Sequence, residues 1–344
     1  MKRLDNPLIS PSDVRPLAPG FEVIGTFNAG AARLGQEVLL LVRVAERPAS
    51  EPGCVAYAAY DPKAGRITTR QLPLDTPGLD ARDPRVVCLH GQVYLTSISH
   101  VRLARSRDGI SFSIGEAAAI APETTTEEYG VEDPRITRIE GRYVVNYSAI
   151  ASVGITTVLA QTRDFRSFER LGAGFCPDNK DVAIFPEKIG GRYVAFHRPS
   201  SGFSPRPAMW LASSPDLIHW GDHRFLAGPR RGEWDGSRIG CGAPPIKTEK
   251  GWLEIYHGAD KGGTYCLGCM LLALEDPGRI IARSKEPILR PEAACEKAGF
   301  VPNVCFTCGA VELDDGSLVI YYGGADEFVC GVATSVEELL SGLL

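Results

Sequence analysis

The sequence predicts an all-β protein, a five-bladed β-propeller with its active-site pocket at the centre. Three observations carry that expectation: scarce helical periodicity, a recurring hairpin, and a turn that recurs with it. Only the C-terminal SVEELLSGLL reads as a helix, with Ser335 as N-cap and Glu338 three residues on. The hairpin is an apolar run, a glycine-containing turn and an aromatic-rich strand. It appears at 86–99, 136–149, 186–199, 245–258 and 310–323. The turn follows a strand and carries an aspartate before a closing aromatic, in LARSRDGISF, LAQTRDFRSF and LASSPDLIHW. A unit returning every 50–65 residues with the same turn chemistry separates a propeller from a sandwich or stacked hairpins.

In chain order, residues 1–20 are polar and proline-containing, expected as a surface arm, and the N-terminal strand is expected to join the last sheet and close the ring. Glu37 to Val44, EVLLLVRV, is a strand that Cys54 to Tyr60 is expected to pair with. Residues 61–85 read as loop, and the five hairpins give one blade each within one domain over 1–344.

Composition narrows the function classes. A net charge of −5 without a basic run argues against nucleic acid and anionic membrane as partners. No apolar stretch reaches bilayer length, and the N-terminus has no apolar core of a secretory signal. Ten cysteines without export read as reduced thiols of a cytoplasmic protein. Cys266-x-x-Cys269 and Cys305-x-x-Cys308 lie in strand-like runs, where residues three apart point to opposite faces, so they read as core thiols with no metal. G-x-S-x-G and P-loop motifs are absent.

The chemistry concentrates in GVEDPRIT, 130–137, where Glu132 and Asp133 precede Pro134 and Arg135. Pro134 is expected to place Asp133 on extended or turning backbone at a strand mouth. In a propeller the inner strands converge, so the polar residues of the repeats form one set. With Asp133 and Arg135 these are Asn28, Arg43, Lys180, Asp181, His197, Arg198, Arg238, Tyr256, His257, Asp260, Asn303, Tyr322 and Asp326. Cationic groups ringing few acids suit a small anion, phosphate being the simplest.

These motifs resemble glycoside hydrolase family 130, the inverting β-mannoside phosphorylases. The likeness runs from FNAG at 27–30 to YYGGADEF at 321–328, through VRVAER, GVEDPRIT, NKDVAIFPEKIGGRYVAFHRP, SRIGCGAPPIKTEKGWLEIYHGAD and VPNVCFTCGAV. ARDPRV and LTSISHVRLARSRDG resemble the branch acting on β-mannooligosaccharides, the β-1,4 phosphorylase-like branch.

The resemblance implies a five-bladed propeller that cleaves a β-linked mannoside with inorganic phosphate as co-substrate and no cofactor. It places the proton donor on Asp133 and phosphate binding on Lys180, Arg198, Arg238 and His257. Asn28, Arg43, Arg47 and Asp326 fall at the donor sugar, with Glu132 a sugar or backbone contact. Lys180 and Arg238 exchange lysine and arginine relative to the family's pattern, which changes the geometry of anion contact. Members often assemble as homo-oligomers.

One acid plus a cationic cradle suits phosphorolysis, because phosphate arrives as an anion and needs no protein base. A hydrolase would need a second carboxylate, with Glu132, Glu187 and Asp181 as candidates. A non-catalytic glycan-binding propeller would need exposed aromatics instead. Linkage, β-1,2 or β-1,4, falls to the acceptor-side loops 61–82, 114–128 and 222–236.

Overall fold

A computed structural model describes residues 1–201 and 206–344. Five four-stranded antiparallel sheets are built in succession, each starting at the centre and moving outward. Blade I uses Phe21–Leu34, Glu37–Pro48, Ile98–Ser106 and Ser113–Ile120. Blade II uses Gly130–Ile139, Arg142–Ala151, Gly154–Thr162 and Glu169–Phe175. Blade III uses Asn179–Ile184, Tyr193–Pro199, Met209–Ser214 and Gly221–Ala227. Blade IV uses Arg238–Cys241, Gly251–Ala259, Tyr265–Leu272 and Ile280–Arg283, with Ile246–Thr248 pairing the second of these.

Blade V uses Cys305–Glu312, Leu318–Gly324 and Phe328–Thr334, and takes its fourth strand from the other end of the chain. Lys2 pairs with Ala333 and Arg3 with Val332. The N-terminal strand therefore closes the ring, as expected of a propeller. Ile9 and Val14 of the N-terminal segment are also buried against blades V and I.

The apolar core explains why these strands read as nearly continuous apolar runs. Its five main clusters each lie between two neighbouring blades. Along Glu37–Pro48, Leu39 and Leu41 pack toward blade II, while Val38, Leu40 and Val42 pack toward blade V. Alternate residues thus enter different interfaces, and both faces of each sheet are buried.

The repeated aspartate turn is the same local structure each time. Asp108, Asp164 and Asp216 each accept backbone N–H bonds from the residues two and three ahead. Each joins the third strand of a blade to the fourth, as an aspartate cap on a turn does. The C-terminal helix, Val336–Ser341, is capped by Ser335, whose Oγ accepts from Glu338 N at 3.1 Å.

Three expectations about the first blade are corrected. Cys54–Asp61 pairs with Arg66–Pro73, not with the Glu37 strand, whose two edges are taken by Phe21–Leu34 and Ile98–Ser106. Residues 61–85 contain the strands Arg66–Pro73 and Leu79–Asp80. The hairpin at 86–99 supplies Val86–Leu89 and Gln92–Leu95 to a small separate sheet. The central hairpin of blade I is instead Phe21–Leu34 with Glu37–Pro48. Both small sheets are insertions between the second and third strands of that blade.

Candidate active site

The inner strands of blades I, II, III and V break register: between Phe27 and Gly30, Glu132 and Arg135, Lys180 and Ala183, and Thr307 and Gly309. At the first three breaks stands a left-handed residue, Asn28 at φ +48°, Asp133 at +51° and Asp181 at +53°. Asn and Asp are the non-glycine residues that adopt this backbone most readily, and a bulge re-aims the side chain it carries. Of the extended or turning backbone expected before Pro134, Asp133 has neither the extended form nor a strand-mouth turn but left-handed geometry. It lies within a strand, on a bulge.

The three bulged side chains meet partners from other blades. Asp133 Oδ1 accepts from Asn28 Nδ2 at 2.9 Å and from Arg43 Nη1 at 3.1 Å. Arg43 also donates from Nη2 to Glu132 Oε1 at 2.6 Å and from Nε to Ser99 Oγ at 3.2 Å. Burial pushes the Asp133 carboxyl up, but Arg43, Lys180 and Arg135 outweigh it and hold the group below its ordinary value. Burial lifts Glu132 above its usual value against the pull of Arg43. It lifts Asp326 to about 6, with Asp133 and Glu132 adding to the rise. The three carboxyls thus share the field of Arg43 and Lys180.

Asp181 has a different set of neighbours. Its Oδ2 lies 3.1 Å from Arg198 Nε and 3.1 Å from His257 Nε2, and its Oδ1 accepts from Arg135 Nη2 at 3.5 Å. The Arg198 and His257 contacts are ion-pair distances without hydrogen-bond alignment. Among the described residues, Arg198 Nε and Nη1 and both ring nitrogens of His257 are buried polar atoms with no aligned partner. Burial raises Asp181, but Arg198, His257 and Arg135 together hold it well below its ordinary value. Burial lowers His257 to about 4, so the imidazole is neutral at pH 7. Gly240 makes the approach possible: a Cβ there would stand 2.2 Å from Asp181 Oδ2 and 2.6 Å from His257 Nε2.

The remaining predicted residues divide between this centre and elsewhere. Lys180 is paired in register with Arg198 and half-buried, so both cations rise from one place on blade III. Arg238, at the start of the inner strand of blade IV, is exposed. Asp260 accepts from Thr264 N at 3.0 Å and borders a cleft of about 530 Å³ with Arg206, Arg231 and Lys261. Arg47 sits over Phe300, 5.6 Å from the ring centroid, and Asn303 is exposed on left-handed backbone.

Three residues of the predicted set, Tyr256, His197 and Tyr322, point away from the channel, and a fourth, Arg135, stays at the centre in a structural role. Tyr256 alternates with His257 along its strand and faces the blade III–IV core, where its hydroxyl donates to Asp235 at 2.8 Å and accepts from Arg283 at 3.1 Å. His197 alternates with Arg198 and enters the blade II–III side, stacked on Phe175 with ring centroids 5.0 Å apart. Tyr322 donates to Glu296 at 2.6 Å in the blade IV–V core. Arg135 is buried, but its donors go to the carbonyls of Asp133, Cys241 and Gly242. With Nη2 also on Asp181 Oδ1, it ties blades II, III and IV together at the axis. Alternation on strands buried on both faces is the common cause for the two tyrosines and His197.

Sequence reasoning missed Ser99, Gly240 and Phe306. Ser99 holds Arg43, and Phe306 packs on His257 with ring centroids 4.1 Å apart. Gly240 stood in plain view in SRIGCGAPP, but a demand for a missing Cβ shows only when blades III and IV are assembled. Among the described residues, no group of three His, Cys, Asp or Glu side chains is placed to hold a metal. No helix among the described residues is long and apolar enough to cross a membrane.

The model of glycoside hydrolase family 130, described as beta-1,4-mannooligosaccharide phosphorylase, matches residues 80–343. The chain belongs to that family. Within it, the chain is 46% identical over 344 residues to the beta-1,2-mannobiose phosphorylase of Listeria innocua serovar 6a, covering 98% of this chain and 97% of that one. It is 44% identical to a 1,2-beta-oligomannan phosphorylase of a Thermoanaerobacter species, over 69% of this chain and 78% of the relative. A solved structure of beta-1,2-mannobiose phosphorylase from Listeria innocua, in complex with beta-1,2-mannobiose, superposes with a TM-score of 0.95. That match is 45% identical and covers 99% of this chain and 98% of the other.

Proposed function

We propose that this family 130 chain is an inverting phosphorylase that cleaves β-1,2-linked mannobiose or a short β-1,2-mannooligosaccharide with inorganic phosphate. The observation that carries the reading is the division of the centre into two halves. One half is an acid, Asp133, held by Asn28 and Arg43. The other is Arg198 and His257 against Asp181 Oδ2, with buried polar atoms lacking an aligned partner among the described residues, and Lys180 paired in register with Arg198. The β-1,2 linkage rests on the likeness to relatives named for it.

In the proposed step, phosphate bound at Lys180, Arg198 and His257, with Arg238 from the rim, attacks C1 of the donor mannose. The glycosidic C1–O bond breaks as the C1–O bond to phosphate forms on the opposite face. The leaving oxygen takes a proton from a hydroxyl of the bound sugar, which Asp133 replaces. α-Mannose 1-phosphate and the shortened sugar result. Asn28, Arg43 and Asp326 hold the donor sugar, and Glu132 fixes Arg43.

Asp181 acts behind the cradle. With Arg198, His257 and Arg135 around it, its carboxylate orients two guanidinium groups and a neutral imidazole and does not touch sugar. The bases a water-using enzyme would need are already engaged: Asp181 by Arg198, Arg135 and His257, Glu132 by Arg43, and Glu187 by Lys247 at the surface.

A panel of β-1,2- and β-1,4-mannobiose, with and without phosphate, tests the reading by release of mannose 1-phosphate. The expected result is phosphate-dependent release from the β-1,2 sugar in preference to the β-1,4. Preference for β-1,4-mannobiose would overturn the linkage. Cleavage indifferent to phosphate would overturn phosphorolysis.

A further inference from the structure

Away from the channel, one pair of nucleophiles has no part in this chemistry. Cys295 lies in the short helix Ala294–Lys297, half-buried, and Cys330 lies buried in the third strand of blade V. They come from positions 35 residues apart, and their sulfurs are 3.7 Å from each other. A hydrogen bond from the Cys330 thiol draws Cys295 down to about 7, against burial and the Glu296 carboxylate, with Arg3 helping. Thiolate character and access mark the sulfur that an oxidant reaches first, and a second sulfur in contact is the one that resolves it.

The pair also sits against the active-site hairpin. Cys295 and Cys330 meet across Gly324, where a Cβ would stand 2.7 Å from the Cys295 carbonyl oxygen and 3.0 Å from Cys330 Sγ. Gly324 begins the turn that presents Asp326. Residues 294–304 clasp that turn: Val301 N donates to Ala325 O at 2.9 Å, and Ala325 N donates to Val304 O at 3.0 Å. A disulfide needs the sulfurs at about 2.05 Å. Closing from 3.7 Å would draw the clasp and the hairpin together at Gly324, two residues before Asp326.

We propose that Cys295 and Cys330 form a peroxide-sensitive dithiol whose closure to a disulfide displaces the Asp326 turn and slows the enzyme. The Cys295 thiolate attacks the peroxide oxygen. An S–O bond forms, the O–O bond breaks, and the departing hydroxide takes a proton to leave as water. The Cys330 sulfur then attacks the sulfenic sulfur, forming S–S and expelling a second water. Two thiols and one hydroperoxide give one disulfide and two waters.

Treating the full chain with hydrogen peroxide, then mapping peptides without reductant and assaying activity, tests this. The expected outcome is a Cys295–Cys330 peptide lighter by about 2 Da than the two free thiols. A fall of about tenfold or more in kcat/KM accompanies it, reversed by dithiothreitol and absent in Cys295→Ser and Cys330→Ser. No such cross-link, at a peroxide dose that oxidises the exposed Cys176, would overturn the site. A cross-link with unchanged kcat/KM would overturn the link to Asp326, and an equal loss in Cys295→Ser would assign the loss to other thiols. The cross-link readout is independent of the phosphorolysis reading; the kcat/KM readout rests on it, and an untreated enzyme without phosphate-dependent turnover would mark that reading as the one at fault.

Discussion

Asp133 and Asp181 occupy matching places in neighbouring blades, yet their surroundings assign them opposite work. Each stands on a left-handed bulge in an inner strand, at φ +51° and +53°, and each is buried. Asp133 is held on one oxygen by an amide and a guanidinium, and shares its field with the carboxyls of Glu132 and Asp326. Asp181 is boxed by two guanidinium groups and an imidazole. The backbone feature delivers a carboxylate to the axis; the neighbours decide whether it handles a proton or arranges cations. The same residue type on the same bulge is therefore not the same function.

The comparison can be broken by substituting each member. Asp133→Asn removes the acid, and kcat should fall by roughly 10²- to 10⁴-fold, measured as mannose 1-phosphate formed at saturating substrates. Asp181→Asn should act on one substrate only. The KM for phosphate rises roughly 10- to 100-fold, as when a group behind a binding site is lost, while the KM for mannoside stays near wild type. Equal rises in both would show Asp181 to be a general scaffold residue.

Two further changes sharpen the contrast. Gly240→Ala drives a methyl against Asp181 and His257, so it should shift the phosphate KM in the same direction and cost roughly 1–3 kcal/mol of stability. Tyr256→Phe, on the outward face of the same blade, should cost about 1 kcal/mol in denaturant melts and leave both KM values unchanged.

The smallest expected effect is on pH. Asp326 has a folded value of about 6 against an ordinary 3.8, so the folded state holds the extra proton between these values. Stability contributed by that proton is present below 3.8 and lost as pH rises through about 6. Asp326→Asn should therefore flatten the fall in melting temperature across that window.

Much of this was legible in the residues. The ring and its closure followed from repeated hairpins and the aspartate turn, because that turn is local chemistry fixed within four residues. GVEDPRIT and the cations of NKDVAIF, FHRP and IYHG marked the centre for the same reason. What failed were questions of facing and pairing. Tyr256 and His197 stand beside His257 and Arg198 in sequence, and only the assembled interfaces show that they face other cores. The hairpin at 86–99 has the pattern of a blade hairpin but lies in an insertion, since its alternation is satisfied equally well by a small side sheet. Left-handed Asn28, Asp133 and Asp181 carried a readable hint: Asn or Asp interrupting an apolar inner strand in three successive blades.

The account stands most directly on the identity of the attacking group. Titrating phosphate from zero against β-1,2-mannobiose, while counting mannose 1-phosphate per bond cleaved, measures it. The prediction is saturable dependence on phosphate with one mannose 1-phosphate for each bond, and a curve shifted to higher phosphate in Asp181→Asn. Full-rate cleavage in phosphate-free buffer, giving free mannose alone, would contradict the account.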